Sequence, residues 1–160
     1  MKFETDIKMT PGALYDYLLY HTYTSMPGIV GTVCGLFMIA VYFMGYPFYC
    51  VILGVIVIAY LPITLFLRSR KQYLANPAFK ETLHYTFDDE GMSVSQGEST
   101  ETCKWEEIYK AVSTPGSIVI YTSKTRASIF PKKDLNDKKM LLVQVISTHM
   151  DPKKVKIRGN

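Results

Sequence analysis

No aspartate, glutamate, lysine or arginine occurs between Tyr17 and Leu67, although the 160-residue chain carries 18 basic and 14 acidic side chains. All of the charge therefore lies outside that window. Cysteine and histidine are scarce, at three each. So few of either exclude a disulfide framework and a multi-ligand zinc site. A P-loop, a Gly-rich dinucleotide turn and an HExxH pair are missing as well, which leaves no cofactor to expect. What remains plentiful is apolar: 48% of residues are hydrophobic and 13% aromatic, against 20% charged. That balance excludes a disordered chain, because enough apolar surface exists to offset the ordering entropy.

The uncharged window holds two apolar runs, residues 26–46 and 47–67. As helices each is about 31 Å long at ~1.5 Å per residue, close to a hydrocarbon core about 30 Å thick. Met44-Gly45-Tyr46-Pro47 breaks them, with Pro47 suited to a first helical turn. The short connection predicts an antiparallel transmembrane hairpin. Tyr42, Phe43, Tyr46, Phe48 and Tyr49 gather at the turn, and Tyr15, Tyr17, Tyr20, Tyr23, Phe66 and Tyr73 at the other end, as two interfacial belts would. Arg68, Arg70 and Lys71 follow the second run at once, so the positive-inside rule puts both termini in the cytoplasm. Gly28, Gly31 and Gly35 form a small-residue face for helix packing. Counting back from the turn sets Gly35 level with Ile58 and Gly31 with Pro62. The face then meets either the second run near Ala59 or another protomer. Pro62 is expected to kink the second helix.

Outside the window, residues 1–9 alternate as a strand, and Thr10-Pro11 opens a short amphipathic helix over 12–24. Residues 68–79 read as a helical exit ending at Asn76-Pro77. Beyond it the period falls to two: strands over 82–87, 92–95, a long one over 100–113 with a bulge near Glu106 and Glu107, 117–122 and 126–130. Asp88 to Gly91, Gln96-Gly97-Glu98 and Pro115-Gly116 supply turns. Asp134 caps a closing helix with Leu135, Leu142, Val145 and Ile146 on one face. The fold class is thus a membrane α+β protein: a two-helix transmembrane hairpin plus a small antiparallel sheet closed by a C-terminal helix. Its divisions are 1–25, 26–67, 68–79 and 80–160.

The motif order resembles that of the YcxB-like family of small bacterial membrane proteins. Phe87, Asp89 and Gly91 make Phe-x-Asp-x-Gly, and Trp105, Ile108 and Lys110 make Trp-x-x-Ile-x-Lys. A strand ending in Tyr121 follows, then Ile129, Pro131 and Lys132 in Ile-x-Pro-Lys. The resemblance implies a pleckstrin-homology-like cytosolic domain and no established catalytic residues. Trp105, Ile108 and Pro131 are then structural, with Trp105 as the core anchor of the sheet.

The chemistry that remains is basic. Arg68, Arg70 and Lys71 stand at the membrane interface, and Lys124, Arg126, Lys132 and Lys133 surround the last strand. Lys153, Lys154, Lys156 and Arg158 form a tail. Near an anionic leaflet each contributes about 1 kcal/mol of attraction. Dispersal among acids argues against nucleic acid as a partner. Asp88, Asp89 and Glu90 form a charged turn with no second acidic cluster at EF-hand spacing, so no metal site is expected. The expectation is a non-enzymatic protein of the bacterial inner membrane. Its cytosolic domain would bind a protein partner or lipid headgroups, with homo-oligomerisation open. The alternative is an accessory or immunity-type subunit of a transport assembly, acting through its helices.

Overall fold

Alternation at the very start makes strand β1 (Phe3–Lys8), with Phe3, Thr5 and Ile7 buried and Glu4, Asp6 and Lys8 exposed. The strand does not stand apart. In the computed structural model, which describes residues 2–124, 126–135 and 138–157, it pairs antiparallel with β2 (Thr82–Phe87), Phe3 opposite Phe87. Two compact units result: Met1–Tyr17 together with Tyr73–Asn160, and Leu18–Gln72. The chain divides after residues 17 and 72, where the sequence suggests 25 and 79. A strand's backbone donors and acceptors need partners, and β2 supplies them across the length of the chain.

The first unit holds two four-stranded sheets. One runs β1-β2-β3-β4, with β3 at Gly91–Gln96 and β4 at Ser99–Lys104. The other runs β7-β6-β5-β8, with β5 at Lys110–Ser113, β6 at Ser117–Tyr121, β7 at Ala127–Pro131 and β8 at Val155–Lys156. The expected long strand over 100–113 is therefore two strands in different sheets. A 3-10 turn at Trp105–Glu107 carries the chain across, with Glu107 Oε2 accepting from the Lys104 amide at 3.2 Å. Glu106 and Glu107 sit in that turn and not at a bulge. Of the residues expected as a basic tail, Lys156 lies in β8, which runs parallel to β5, and Lys153 and Lys154 lie in the turn before it; Ala111 N donates to Lys154 O at 2.9 Å. Arg158 lies outside the described residues.

The core joins the inner faces of both sheets. Phe3, Ile7, Tyr85, Phe87 and Met92 meet Ala111, Ile118, Ile120 and Phe130, along with Trp105 and Ile108. Helix α5 (Lys138–His149) adds Leu142, Val145 and Ile146, and α4 (Lys132–Leu135) adds Leu135. Asp134 thus sits inside a short α4 instead of capping one closing helix. Phe87 is the hub: its ring lies 5.7 Å from both Phe3 and Phe130 and 6.1 Å from Trp105. The other face of β5-β6-β7, made of Val112, Val119, Tyr121 and Ile129, is buried too. The start of α1 (Pro11–Tyr23) meets this face, with Tyr17's ring 6.0 Å from that of Tyr121. The first turns of α1 are therefore a packing element of the sheet rather than a lead-in to lipid.

The second unit contains α2 (Met26–Tyr42) and α3 (Tyr49–Ala75). Helix α3 is 27 residues long, with a mean hydropathy of 2.7 over its most apolar stretch, of which 11% is buried. It is long and apolar enough to cross a membrane. Helix α2, at 17 residues, ends four positions before the expected boundary. Gly45 closes it in the left-handed region at φ 93°. Gly45 N donates to Tyr42 O at 3.1 Å and Tyr46 N to Val41 O at 3.4 Å, the paired bonds of a Schellman stop. The next helix begins at Tyr49, two residues beyond Pro47, and runs without a break through Pro62 into the basic residues.

Candidate functional site

Arg68, Arg70 and Lys71 lie exposed on the last turns of α3, with the Arg70 guanidinium 5.8 Å from the Phe66 ring centroid. They are part of the helix and not of a separate connector. Lys124 and Arg126 are exposed in the β6–β7 turn, where Arg126 N donates to Ser123 Oγ at 3.0 Å. Lys132 and Lys133 stand at the other end of β7. A five-residue strand separates the two pairs by roughly 15 Å at ~3.3 Å per residue. They bracket the strand and do not converge on one spot.

Lys132 is also committed elsewhere. Its ammonium donates to the carbonyls of Thr114 and Pro115 at the β5–β6 turn. Thr114 is 2% exposed, and its hydroxyl donates to Asp16 of α1 while accepting from Ser117 N at 2.9 Å. Burial lowers the Lys132 pKa, the Lys139 charge adds to the shift, and Asp16 opposes it. The cluster thus fastens the start of α1 to a hairpin turn through one hydroxyl and one ammonium. Nothing in sequence spacing connects Asp16 with Thr114, ninety-eight positions away.

The three small-residue positions divide between two neighbours. A Cβ on Gly35 would stand 2.6 Å from Ile58 Cγ1 and 3.1 Å from Gly54 O, so α2 and α3 touch nearly backbone to backbone there. Gly54 is the matching small residue on α3: a Cβ there would lie 2.6 Å from Gly35 O. Gly31 faces Leu61 at an ordinary 3.6 Å. A Cβ on Gly28 would stand 2.1 Å from Thr22 O, on the α1 side of the break at Thr24 and Ser25, so Gly28 does not extend the same face.

The motif residues of residues 87–132 meet as a scaffold. Asp88 Oδ1 accepts from Glu90 N and Gly91 N at 3.0 and 2.9 Å, closing the β2–β3 turn. A Cβ on Gly91 would lie 2.2 Å from Cys103 O, so only glycine fits. Trp105 Nε1 donates to Asp88 O at 2.9 Å, and the ring stacks on His149 at 5.0 Å and 15°. His149 Nδ1 donates to Val145 O, and Nε2 lies 3.3 Å from Asp89 Oδ1. Ile108 is fully buried, and Lys110 Nζ stands 4.6 Å from the Tyr121 ring centroid. Pro131 is the last residue of β7, opposite Ser117. Sheet and turns are built from these contacts, which explains the motif spacing without a reaction.

An open pocket of about 220 Å³ lies on the inner side of the first sheet, lined by Leu83, Tyr85, Val94, Gln96, Ser99 and Glu101. Burial raises the Tyr85 phenol's pKa, a hydrogen bond with Ser128 opposing. Gln96 Nε2 donates to Ala78 O at 2.8 Å and pins the 3-10 turn Pro77–Phe79 beside the pocket. The sequence does contain the signal for this site: with the turn at Gln96-Gly97-Glu98, period two puts Ser99 and Glu101 on the same face as Val94. Among the described residues no group of three His, Cys, Asp or Glu side chains is arranged to hold a metal.

Residues 87–141 match the model of a family described as YcxB-like protein. The stretch begins at the core hub Phe87 and runs from β3 to the start of α5, taking in every motif residue named above. Comparisons with curated proteins and with solved structures give no match.

Proposed function

The chain carries a YcxB-like domain over residues 87–141, and from that premise we propose that it is a non-enzymatic, two-pass protein of the bacterial inner membrane. In this reading both termini are cytoplasmic. The first unit is a pleckstrin-homology-like module that binds a protein partner or anionic lipid headgroups. The hairpin holds that module at the membrane and raises its effective concentration there.

One observation carries the membrane part. The large apolar side chains left exposed fall almost wholly within Met26 to Leu67; among the described residues the others are Leu74, Tyr109, Met140 and Leu141. Soluble proteins rarely expose a contiguous apolar surface of that extent. Leu, Ile, Val and Phe facing outward all round a helix are what hydrocarbon accepts. The basic end of α3 supports the cytoplasmic placement of the termini. The binding part rests on fold analogy and on a module with an open pocket. An assembly role through the helices has less support, because Gly35 is already occupied by Ile58 and Gly54.

Cysteine accessibility tests the topology. With Cys34, Cys50 and Cys103 replaced by serine, a single cysteine at Gly45 is expected to react with an impermeant maleimide added to intact cells. A single cysteine at Glu98 is expected to react only after lysis. Glu98 labelling in intact cells, or release of the protein from membranes by alkaline carbonate, overturns the reading.

A further inference from the structure

We propose that the outer edge of β4, together with the pocket beside it, is a docking site for an extended segment of a partner protein that presents a basic side chain to Glu101. The inference rests on the reading of the first unit as a binding module and names its partner's chemistry.

Two sheets offer four edges, and three are blunted. The β1 edge is met by helix α5, whose Lys138 Nζ donates to Glu4 O at 3.3 Å. The β7 edge carries Pro131, which has no amide to donate, and its last three residues are buried. The β8 edge is two residues long. Strand β4 is the exception: six residues, five of them exposed, with an outer row of backbone donors and acceptors facing solvent. An incoming strand would satisfy that row as β-augmentation does.

The side chains of β4 specify what kind of strand fits. Thr100 and Thr102 point to the outer face, where their hydroxyls bond those of Ser95 and Ser93 at 3.0 and 3.1 Å. Ser99 and Glu101 point to the inner face and line the pocket with half-buried Leu83, Val94 and Gln96. A segment added at this edge would lay every second side chain against that same inner face. Its neighbours there are Ser99, Glu101 and Cys103 of β4 itself, with Val94 and Gln96 one strand further in, so one carboxylate stands among uncharged side chains. Glu101 has no ion-pair partner among the described residues. A basic side chain therefore matches it, with small uncharged residues such as Val two positions to either side, opposite Ser99 and Cys103. On the inner face a second copy of the chain would set its own Glu101 against Glu101 in the centred antiparallel register, and like charges across a ladder oppose pairing. The charge pattern thus favours a different, basic polypeptide.

The test uses the full chain in lipid nanodiscs and a fluorescent synthetic peptide of about seven residues, near one strand in length. The peptide alternates Val and Thr and has Lys at its centre, on the Val face. Its anisotropy is expected to show saturable binding. A peptide with Glu in place of Lys is expected to bind at least about tenfold more weakly. Glu101→Lys is expected to reverse that preference. Glu101 is exposed, so the variant leaves the core intact, and unchanged Trp105 fluorescence checks this. Amide exchange at 99–104 is expected to slow when the Lys peptide is added to the parent chain. No binding by either peptide, or binding that ignores the charge exchange, overturns the site. Labelling a Gly45 cysteine in intact cells reports the membrane reading separately, so failure of one is told from failure of the other.

Discussion

The two units spend the same kind of side chain in opposite ways. In Leu18–Gln72 the phenylalanines face out: Phe37 is 67% exposed and Phe43 is 83% exposed. In the other unit Phe87 and Phe130 are fully buried. Both units are ordered, so apolar content by itself does not decide where a side chain goes. What differs is the polar complement. The first unit clothes the outer face of its β1-β2-β3-β4 sheet with polar side chains such as Glu4, Asp6, Ser93, Ser95, Thr100 and Thr102. The second has no charged residue before Arg68, its helices satisfy their backbones internally, and the hydroxyls of Thr32, Thr64 and Ser69 bond back to helix carbonyls, which leaves apolar surface outward.

The largest effect that would break this comparison is at the aromatic hub. Phe87→Ala removes a ring in contact with Phe3, Phe130 and Trp105, and is expected to destabilise the first unit by about 3–5 kcal/mol. The same change at Phe37 is expected to fall within about 0.5 kcal/mol, since nothing closes over it. Chemical unfolding in mild detergent, followed by Trp105 fluorescence and far-UV circular dichroism, measures both. Comparable losses at the two positions would mean that Phe37 is buried by something, and the contrast would fail.

A smaller effect sharpens the comparison inside the helical unit. Gly35→Ala puts a methyl 2.6 Å from Ile58 Cγ1 and 3.1 Å from a backbone oxygen. Loss of about 1–3 kcal/mol is expected from that crowding. Gly31→Ala meets only an ordinary 3.6 Å contact with Leu61 and is expected to be near neutral. Thermal scans of the two variants in one detergent give the difference. Equal behaviour would show that α2 and α3 do not pack closely at Gly35.

The smallest expected effect depends on pH and belongs to the sheet unit. Burial raises the folded Tyr85 pKa above the ordinary 10.0, with the Ser128 hydrogen bond opposing. The fold therefore favours the neutral phenol. Its contribution is whole below the ordinary value and is lost as pH rises through the folded pKa, because the unfolded chain ionises first. Melting temperature is expected to drop across that alkaline range, and Tyr85→Phe to make the drop shallower. A slope unchanged by the substitution would place the titration elsewhere.

Much of the strand order could be read from alternation and turn residues. Residues 82–87, 92–95 and 117–122 coincide closely with β2, β3 and β6, because Asp88, Gly97 and Pro115-Gly116 punctuate them. Period two is silent about partners, however. It could not say that residues 99–104 and 110–113 enter different sheets, since the change of direction at Trp105 is held by Asp88 O and Glu90 O from an earlier turn. Nor could it recruit Val155 and Lys156 as a strand, because two residues make no pattern. The basic residues were visible as a group, but proximity in sequence hid that Lys132 is tied to Thr114 and Pro115. Glu101 went unread as a site residue although period two across the turn gives its face, because alternation does not say that β4 is left as an open edge.

Sequence by itself determined the division of labour: an uncharged window that offers only helix and apolar surface, and flanks that alternate and so make sheets. Those properties are local, written in composition and in periods of a few residues. The tertiary structure alone decided that β1 and the start of α1 join the C-terminal sheets, that Val155 and Lys156 pair with β5, and which edge stays open. Each of these depends on groups far apart along the chain satisfying one another's hydrogen bonds and filling one another's space, and no short window contains both partners.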